Sequence, residues 1–484
     1  MTAETGILGF GAYVPRKRLQ RSVIHATNKW FAGGLGGLAK GERAIANWDE
    51  DAITMAVEAG RDALTQVDRA SIGTVSLAST TLPFTDRLNA GVVKEALVLE
   101  DGTAALDATG SLRAATSQLI QALAAAKGGA APHLAIASEM RLSRPASEGE
   151  MVQGDAAAGL LIGQGDVVAR FLGSHSTTID FVDHYRSNGQ DFDYSWESRW
   201  IRDEGYTGMT VKAVKDALAV LGVAAGEIDR FIMPITLRGV ADGVAKKAGI
   251  KAEAVADTLA ASLGDSGVAH PILLLVAALE QAQAGEKILL TGFGQGVDVL
   301  LFEATGKAAT LPARRGVKGS LARGVKDENY ARWLFHRGNL ALDKGMRAEN
   351  DEKQPGTTLW RNRKTVLGLV GGRCTKTGTV QFPRSDISVN PNDHAYHTQE
   401  DYPLADRKAR VVTYTADALT YSPAPPSYYG MIDFDGGGRM IAEFADCSPE
   451  EVEVGAEMMM MFRIKAVDER RDFTKYFWKA VPVG

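Results

Sequence analysis

Cysteine is nearly missing from this chain: 484 residues hold two, Cys374 and Cys447, both in the last quarter. That excludes a disulfide framework and leads us to expect a cytoplasmic location. Long apolar runs are missing too. The longest, "PILLLVAAL" at 271–279, falls far short of the ~20 residues that a spanning helix needs, so no membrane partner is expected. There is no strong charge of either sign, because 54 basic against 59 acidic residues leave a net charge of −5. Without a basic stripe or aromatic–basic interleaving, nucleic acid is not expected as a partner. The opening "MTAETGILGFGAYVPRKRL" lacks the basic-then-apolar layout of a secretory signal.

What is present points to an α/β protein of two or three domains. Over residues 1–310 strand-like and helix-like segments alternate. Strands are expected at 5–14, 73–80, 104–109, 133–139 and 157–163, and an amphipathic helix at 49–67 with Asp49 or Asp51 as its cap. A second round follows, with helices at 209–223, 240–250 and 270–285 and strands at 230–235, 287–294 and 297–304. The order echoes the first, so 1–165 and 166–310 read as a degenerate structural duplication. Residues 311–364 are charge-rich and weakly periodic and read as a linker or arm. From Thr365 the pattern is β, and residues 365–484 read as a ribbon followed by a small barrel of OB-fold type. "EMMMMFRI" suits a barrel strand buried on both faces better than a methionine-rich binding surface.

The segment "LDATGSLRAATSQL" (106–119) is a short strand, a bend of small residues and an alanine-rich helix. That layout presents a side chain at a helix N-terminus, where free N–H groups favour a developing anion. Together with "GILGFGAYVPRKRL", "WDEDAITMAVEAGRDAL", "GDAAAGLLIG", "DFVDHYRSNGQ", "GDSGVAHPILLL" and "LLTGFGQG", it resembles the thiolase superfamily. The nearest branch is that of hydroxymethylglutaryl-CoA (HMG-CoA) synthases and ketoacyl-ACP synthase III. "GGRCTKTGTVQFPR", "RVVTYT" and "VGAEMMMMFR" resemble the OB-fold accessory proteins, with a rubredoxin-like ribbon, that accompany thiolases. The resemblance implies a duplicated layered α/β/α/β/α fold followed by a small all-β domain. It also implies a coenzyme A thioester as substrate and a homodimer, for which "HLAIASE" (133–139) is the expected pairing edge.

The resemblance also implies catalytic positions, and here the chain departs from the family. The nucleophilic cysteine falls on Leu112, with Ser111 beside it. The general-base glutamate falls on Thr80, the histidine between Ile232 and Ile235, and the asparagine or histidine of the "GN" or "GH" motif on Asp265. Two readings stay open. One is a non-catalytic scaffold that organises a separate thiolase as partner enzyme. The other is carbon–carbon chemistry without an acyl-enzyme, as in retro-aldol cleavage of a β-hydroxyacyl-CoA, which needs a base and donors for an enolate oxygen.

Asp265, His270, His184 and Ser111 are the candidate catalytic residues. Thr80, Asp183, Tyr185 and Arg238 are the candidate substrate-binding ones, with Glu139 nearby. Asp265 caps the following helix or serves as a base with a raised pKa, and His270 in the helix's first turn is expected neutral. The polar, aromatic loop 180–200 reads as a lid or a partner contact, and Phe192, Tyr194, Trp196 and Trp200 as an acyl pocket or an interface. Arg238 and Lys246/Lys247 are placed to meet phosphates, though the two lysines suit a charged, solvated helix face better. No metal is expected, because the ribbon offers Cys374 but Thr377 where a second ligand would stand, and only His394 and His397 later.

Overall fold

The computed structural model describes residues 4–348, 356–393 and 395–483. The chain divides into two compact units, the first being 1–47, 51–91 and 100–340, the second 48–50, 92–99 and 341–484.

The first unit has fourteen strands: β1 (Glu4–Tyr13), β2 (Lys17–Gln20), β3 (Glu42–Ile45), β4 (Thr74–Ala78), β5 (Ala104–Ala108), β6 (His133–Glu139), β7 (Ala156–Gly165), β8 (Ala169–Thr178), β9 (His184–Tyr185), β10 (Tyr194–Ser195), β11 (Arg230–Ile232), β12 (Lys287–Phe293), β13 (Gly296–Ala304) and β14 (Val325–Asp327). Nine of them form one mixed sheet in the order β11-β12-β13-β8-β1-β7-β6-β4-β5. Parallel pairing of β4 with both β5 and β6 puts the C-terminal ends of these strands side by side. In open α/β sheets that is where ligand crevices form.

Two helices, Ala114–Lys127 and His270–Leu279, pack in the main apolar core. The second is apolar on every side, as a helix covered all round must be. The helix Ala52–Ala63 starts on Asp51, not Asp49: the Asp51 carboxylate accepts from the Thr54 N–H at 2.8 Å, while Thr54 Oγ1 accepts from the Asp51 N–H.

Two expectations are corrected here. Residues 311–340 are not an arm. The helix Gly316–Ala322 buries Val317, β14 pairs parallel with β2, and Tyr330 and Trp333 of the helix Tyr330–His336 are buried. The charge that suggested solvent lies partly in buried pairs: the Arg315 guanidinium lies 3.9 Å from buried Glu58, and Arg337 pairs with buried Asp155, while the Arg315 and Gly316 amides donate to Asp62 at 2.7 and 2.8 Å. "HLAIASE" is not an edge either. It is β6, bonded on one side to β7 and on the other to β4, and the outermost strand is β5, where Leu106 is exposed.

The second unit holds β15 (Val370–Cys374), β16 (Val380–Gln381) and β17 (Gln399–Pro403), joined in the order β16-β15-β17. β18 (Ala409–Asp417), β19 (Ser427–Phe434), β20 (Arg439–Glu443), β21 (Glu457–Asp468) and β22 (Phe473–Pro482) form an antiparallel sheet ordered β20-β19-β18-β21-β22. A bridge between Phe444 and Ala480 draws the outer strands together into an OB-like barrel. Met458, Met460 and Met461 of β21 are buried.

In the ribbon, the Cys374 sulfur lies 3.1 Å from Thr398 Oγ1. Hydrogen bonds from Thr377 and Thr398 bring its pKa down to about 6. Thr377 Oγ1 donates to Thr379 Oγ1, and Asn390 Nδ2 donates to the same oxygen, both at 2.9 Å. Among the described residues no group of three or more His, Cys, Asp or Glu could hold a metal. His397 is exposed, and His394 lies outside the described residues.

Candidate functional site

At the C-terminal ends of β4 and β6 two adjacent strands deliver Thr80 and Glu139. The Glu139 carboxylate accepts from Thr80 Oγ1 at 3.0 Å, Thr80 N at 3.2 Å and Val268 N at 3.4 Å. Burial raises its pKa against the opposing pull of Thr81, Arg141 and Thr80. Two residues on, Arg141 is buried and grips Asp193 of the polar loop through Nε at 3.0 Å and Nη2 at 2.6 Å. Arg186 holds the other Asp193 oxygen at 3.0 Å and also donates to the Thr80 carbonyl. Burial works against charge on Asp193, yet the two guanidinium groups and His184 keep its pKa low.

Asp265 stands at the third side of this cluster. Its Oδ1 accepts from Gly267 N at 2.8 Å, capping the short 3-10 turn Gly267–Ala269. Its charge is felt at Arg141 and at Tyr206.

The polar loop carries a histidine–aspartate pair. His184 Nδ1 is 3.1 Å from Oδ2 of buried Asp183, whose other oxygen accepts from Gln295 Nε2 at 3.2 Å. A carboxylate at Nδ1 fixes the imidazole ring and leaves the Nε2 lone pair available as a base. Behind the loop, Phe181 stacks on Trp200 at 4.1 Å and meets Phe293 edge-on at 6.2 Å. A π-helix, Ile201–Met209, then brings Tyr206 against Phe293 at 4.9 Å. Gly205 permits this approach, since a Cβ there would lie 2.6 Å from Phe181 Cε1.

The elbow adjoins through the turn between β12 and β13. Ser111 Oγ and Arg113 Nε both donate to the Gly294 carbonyl at 2.9 Å. Gly294 has φ +159, and a Cβ on it would sit 2.6 Å from Ser111 Oγ and 3.1 Å from Leu112 N. Arg113 also pairs with buried Asp298 at 2.8 Å, which accepts from Thr116 and Ser117 as well. The residue after Gly294 is the Gln295 that holds Asp183, so elbow and loop share one turn.

Of the residues singled out from sequence, the structure gathers Thr80, Asp183, His184 and Asp265 around the Glu139–Arg141–Asp193 cluster. Ser111 sits at the adjoining elbow with its hydroxyl committed to Gly294. His270 is fully buried behind the Asp265 turn, its Nδ1 3.1 Å from Ser266 Oγ, and burial lowers its pKa, so it is a neutral packing residue. Tyr185 points to solvent against Tyr194 at 5.6 Å. Arg238 is exposed on the loop between β11 and the helix Val240–Ala248. Of the loop aromatics, Trp200 reaches the Phe181–Phe293 cluster, Phe192 lies under Arg144, and Tyr194 and Trp196 are exposed. Arg141, Asp193 and Tyr206 escaped sequence reasoning. The one local signal was Glu139-x-Arg141, two ionisable residues at the end of an apolar strand.

Comparison with known proteins agrees with this architecture. A model of the 3-oxoacyl-[acyl-carrier-protein] synthase III C-terminal region matches residues 218–300, and one of the ChsH2 C-terminal OB-fold domain matches 402–463. Hydroxymethylglutaryl-CoA synthase of Methanocaldococcus jannaschii is 27% identical over 305 residues, covering 62% of this chain and 88% of that protein. The Aeropyrum pernix synthase is 29% identical over 299 residues, covering 61% and 82%. Among solved structures, MvaS in complex with 3-hydroxy-3-methylglutaryl coenzyme A aligns with TM-score 0.58 at 20% identity, over 69% of this chain and 92% of that one. 3-Oxoacyl-[acyl-carrier-protein] synthase III of Aquifex aeolicus aligns with TM-score 0.54 at 19% identity, over 62% and 99%. The first 300 or so residues are thus similar to HMG-CoA synthases and 3-oxoacyl-ACP synthases III, and residues 402–463 to the OB-fold domain of ChsH2.

Proposed function

We propose that this protein makes or breaks the bond between the α and β carbons of a β-hydroxy- or β-ketoacyl-CoA without forming an acyl-enzyme. The observation that carries the reading is the Asp183–His184 pair beside an elbow whose whole unit contains no cysteine. In the cleavage direction His184 Nε2 takes the β-hydroxyl proton, and the hydroxyl oxygen becomes a carbonyl as the Cα–Cβ bond breaks. The bonding pair moves into the thioester as an enolate, and a proton returned to the α carbon completes an acyl-CoA and an aldehyde or ketone. Bond formation is the same path reversed; for a β-ketoacyl-CoA the enolate instead attacks the carbonyl of a second acyl-CoA, whose coenzyme A leaves as the thiolate and takes up the proton. Asp265, partly exposed across the cluster, is the group that takes or returns the α proton.

In this reading Thr80 and Tyr185 border the acyl group, and exposed Arg238 meets the phosphates of coenzyme A. Ser111 holds the elbow and does not attack. His270, fully buried, has no part in the chemistry, and no metal is used. The unit pairs with a second copy through the open edge of β5, which gives a homodimer in the cytoplasm.

Incubating the purified chain alone with a panel of β-hydroxyacyl-CoA esters tests the reading. Release of an acyl-CoA and a carbonyl product, with no acyl adduct by mass spectrometry, is the expected result. An acyl adduct on Ser111 would restore a covalent path. Complete inactivity, with turnover only when a separate thiolase is added, would favour the scaffold reading, which the missing thiol also suits.

A further inference from the structure

Tyr206 stands apart from every polar residue around it. Its ring is fixed by the edge contact with Phe293 at 4.9 Å, and the π-helix that carries it is nine residues long. Helices of this kind are rare in soluble proteins and recur at functional sites, because the wider turn re-aims a side chain. The hydroxyl lies within electrostatic reach of Asp183, Asp265 and Arg141, which come from three different segments. Among the described residues, however, it makes no hydrogen bond.

The neighbouring donors are all occupied. Ser111 Oγ donates to Gly294 O, Thr80 Oγ1 to Glu139, Gln295 Nε2 to Asp183, and Arg141 to Asp193. The ring is fixed while the half-buried hydroxyl is bonded to none of these groups, so it is free to donate to a ligand entering beside them.

We propose that the Tyr206 hydroxyl binds the thioester oxygen of the acyl group and donates to the negative charge that develops there. This inference rests on the enzyme reading above and adds the residue that receives the enolate. A thioester carbonyl accepts weakly, and its enolate oxygen accepts strongly, so the bond tightens as the α–β bond breaks. Burial and the two carboxylates raise the phenol's pKa, so it keeps its proton at neutral pH. His184 then handles the β-oxygen and Tyr206 the thioester oxygen, from opposite ends of the bond that breaks.

Tyr206→Phe keeps the ring and its contact with Phe293 and removes only the donor. Two probes are titrated into the full chain by calorimetry: butyryl-CoA, and S-butyl-CoA, which has a methylene in place of the carbonyl. The wild type should prefer the thioester, and Tyr206→Phe should erase that preference, on the order of tenfold. Turnover should fall about 10²-fold, as on loss of one oxyanion donor. Equal weakening of both probes, or an unchanged preference, would overturn the assignment. If Tyr206→Phe keeps the preference while His184→Ala abolishes turnover, this inference fails and the enzyme reading survives. If the wild type binds neither probe, the enzyme reading fails with it.

Discussion

Each unit of this molecule holds a polar cluster, and the two clusters are built from different kinds of residue. In the ribbon the polar cluster is made of neutral hydroxyls and an amide. Thr377 and Asn390 both donate to the Thr379 hydroxyl. At the strand ends of the first unit the cluster is ionisable: Glu139, Arg141 and Asp183 are buried, and Asp193 is half-buried. Desolvating such groups costs far more than burying hydroxyls that pair with each other. A desolvated charge cluster of this kind is the feature that the proposed enzymatic reading needs, and the ribbon has no counterpart among the described residues.

The largest test of that contrast is Arg141→Met. It leaves Asp193, Glu139 and Asp265 without their shared cation, and stability should drop by about 3–5 kcal/mol in denaturant unfolding, with turnover lost. If the variant is as stable as the wild type, the cluster is not a coupled unit. His184→Ala comes next. Turnover should fall on the order of 10²–10⁴-fold while the thermal midpoint stays put, since the histidine is partly exposed. A variant that retains its rate would move the chemistry elsewhere.

Glu139→Gln gives a smaller effect with a definite sign. Burial holds the folded-state pKa of Glu139 above its unfolded value. Its contribution is therefore fully present below about pH 4.5 and is lost as pH rises through the folded pKa. The glutamine variant should match the wild type at pH 4 and exceed its midpoint increasingly towards pH 8. A constant offset at every pH would mean that Glu139 does not titrate as burial requires.

On the ribbon side, Thr379→Val should cost no more than about 1 kcal/mol, and neither chelator nor added zinc should shift the midpoint. A zinc-dependent midpoint would erase the contrast. The smallest effect expected is none: alkylating Cys374 and Cys447 should leave turnover intact, since both lie in the second unit. Loss of activity on alkylation would place the working thiol where this account has none.

Several parts of this protein were legible in its residues, for local reasons. Alternation of strand and helix patterns along residues 1–310 gave the layered α/β body, because periodicities of 2 and 3.6 report which face is covered. The short alternating runs after Thr365 gave the barrel in the same way. The polar length of 180–200 marked a segment that could not be a turn. Asp183, His184, Thr80 and Asp265 stood out through their family positions or their place in that segment.

What the chain could not disclose by itself is where its charges go. "ARRGVKGSLARG" looks solvated until Asp62, 253 residues before Arg315, is found accepting from the backbone of Arg315 and Gly316. "HLAIASE" looks like an edge because a central strand and an edge strand share the same apolar pattern, and only sheet order tells them apart. Arg141 and Asp193 are 52 residues apart, and Arg113 and Asp298 are 185 apart, so no local spacing announces either pair. Periodicity determined the layers and the barrel, since each is a property of neighbouring residues. Pairing and desolvation set what Glu139, Arg141 and Tyr206 can do, and these are long-range quantities that exist only once the sheet has assembled.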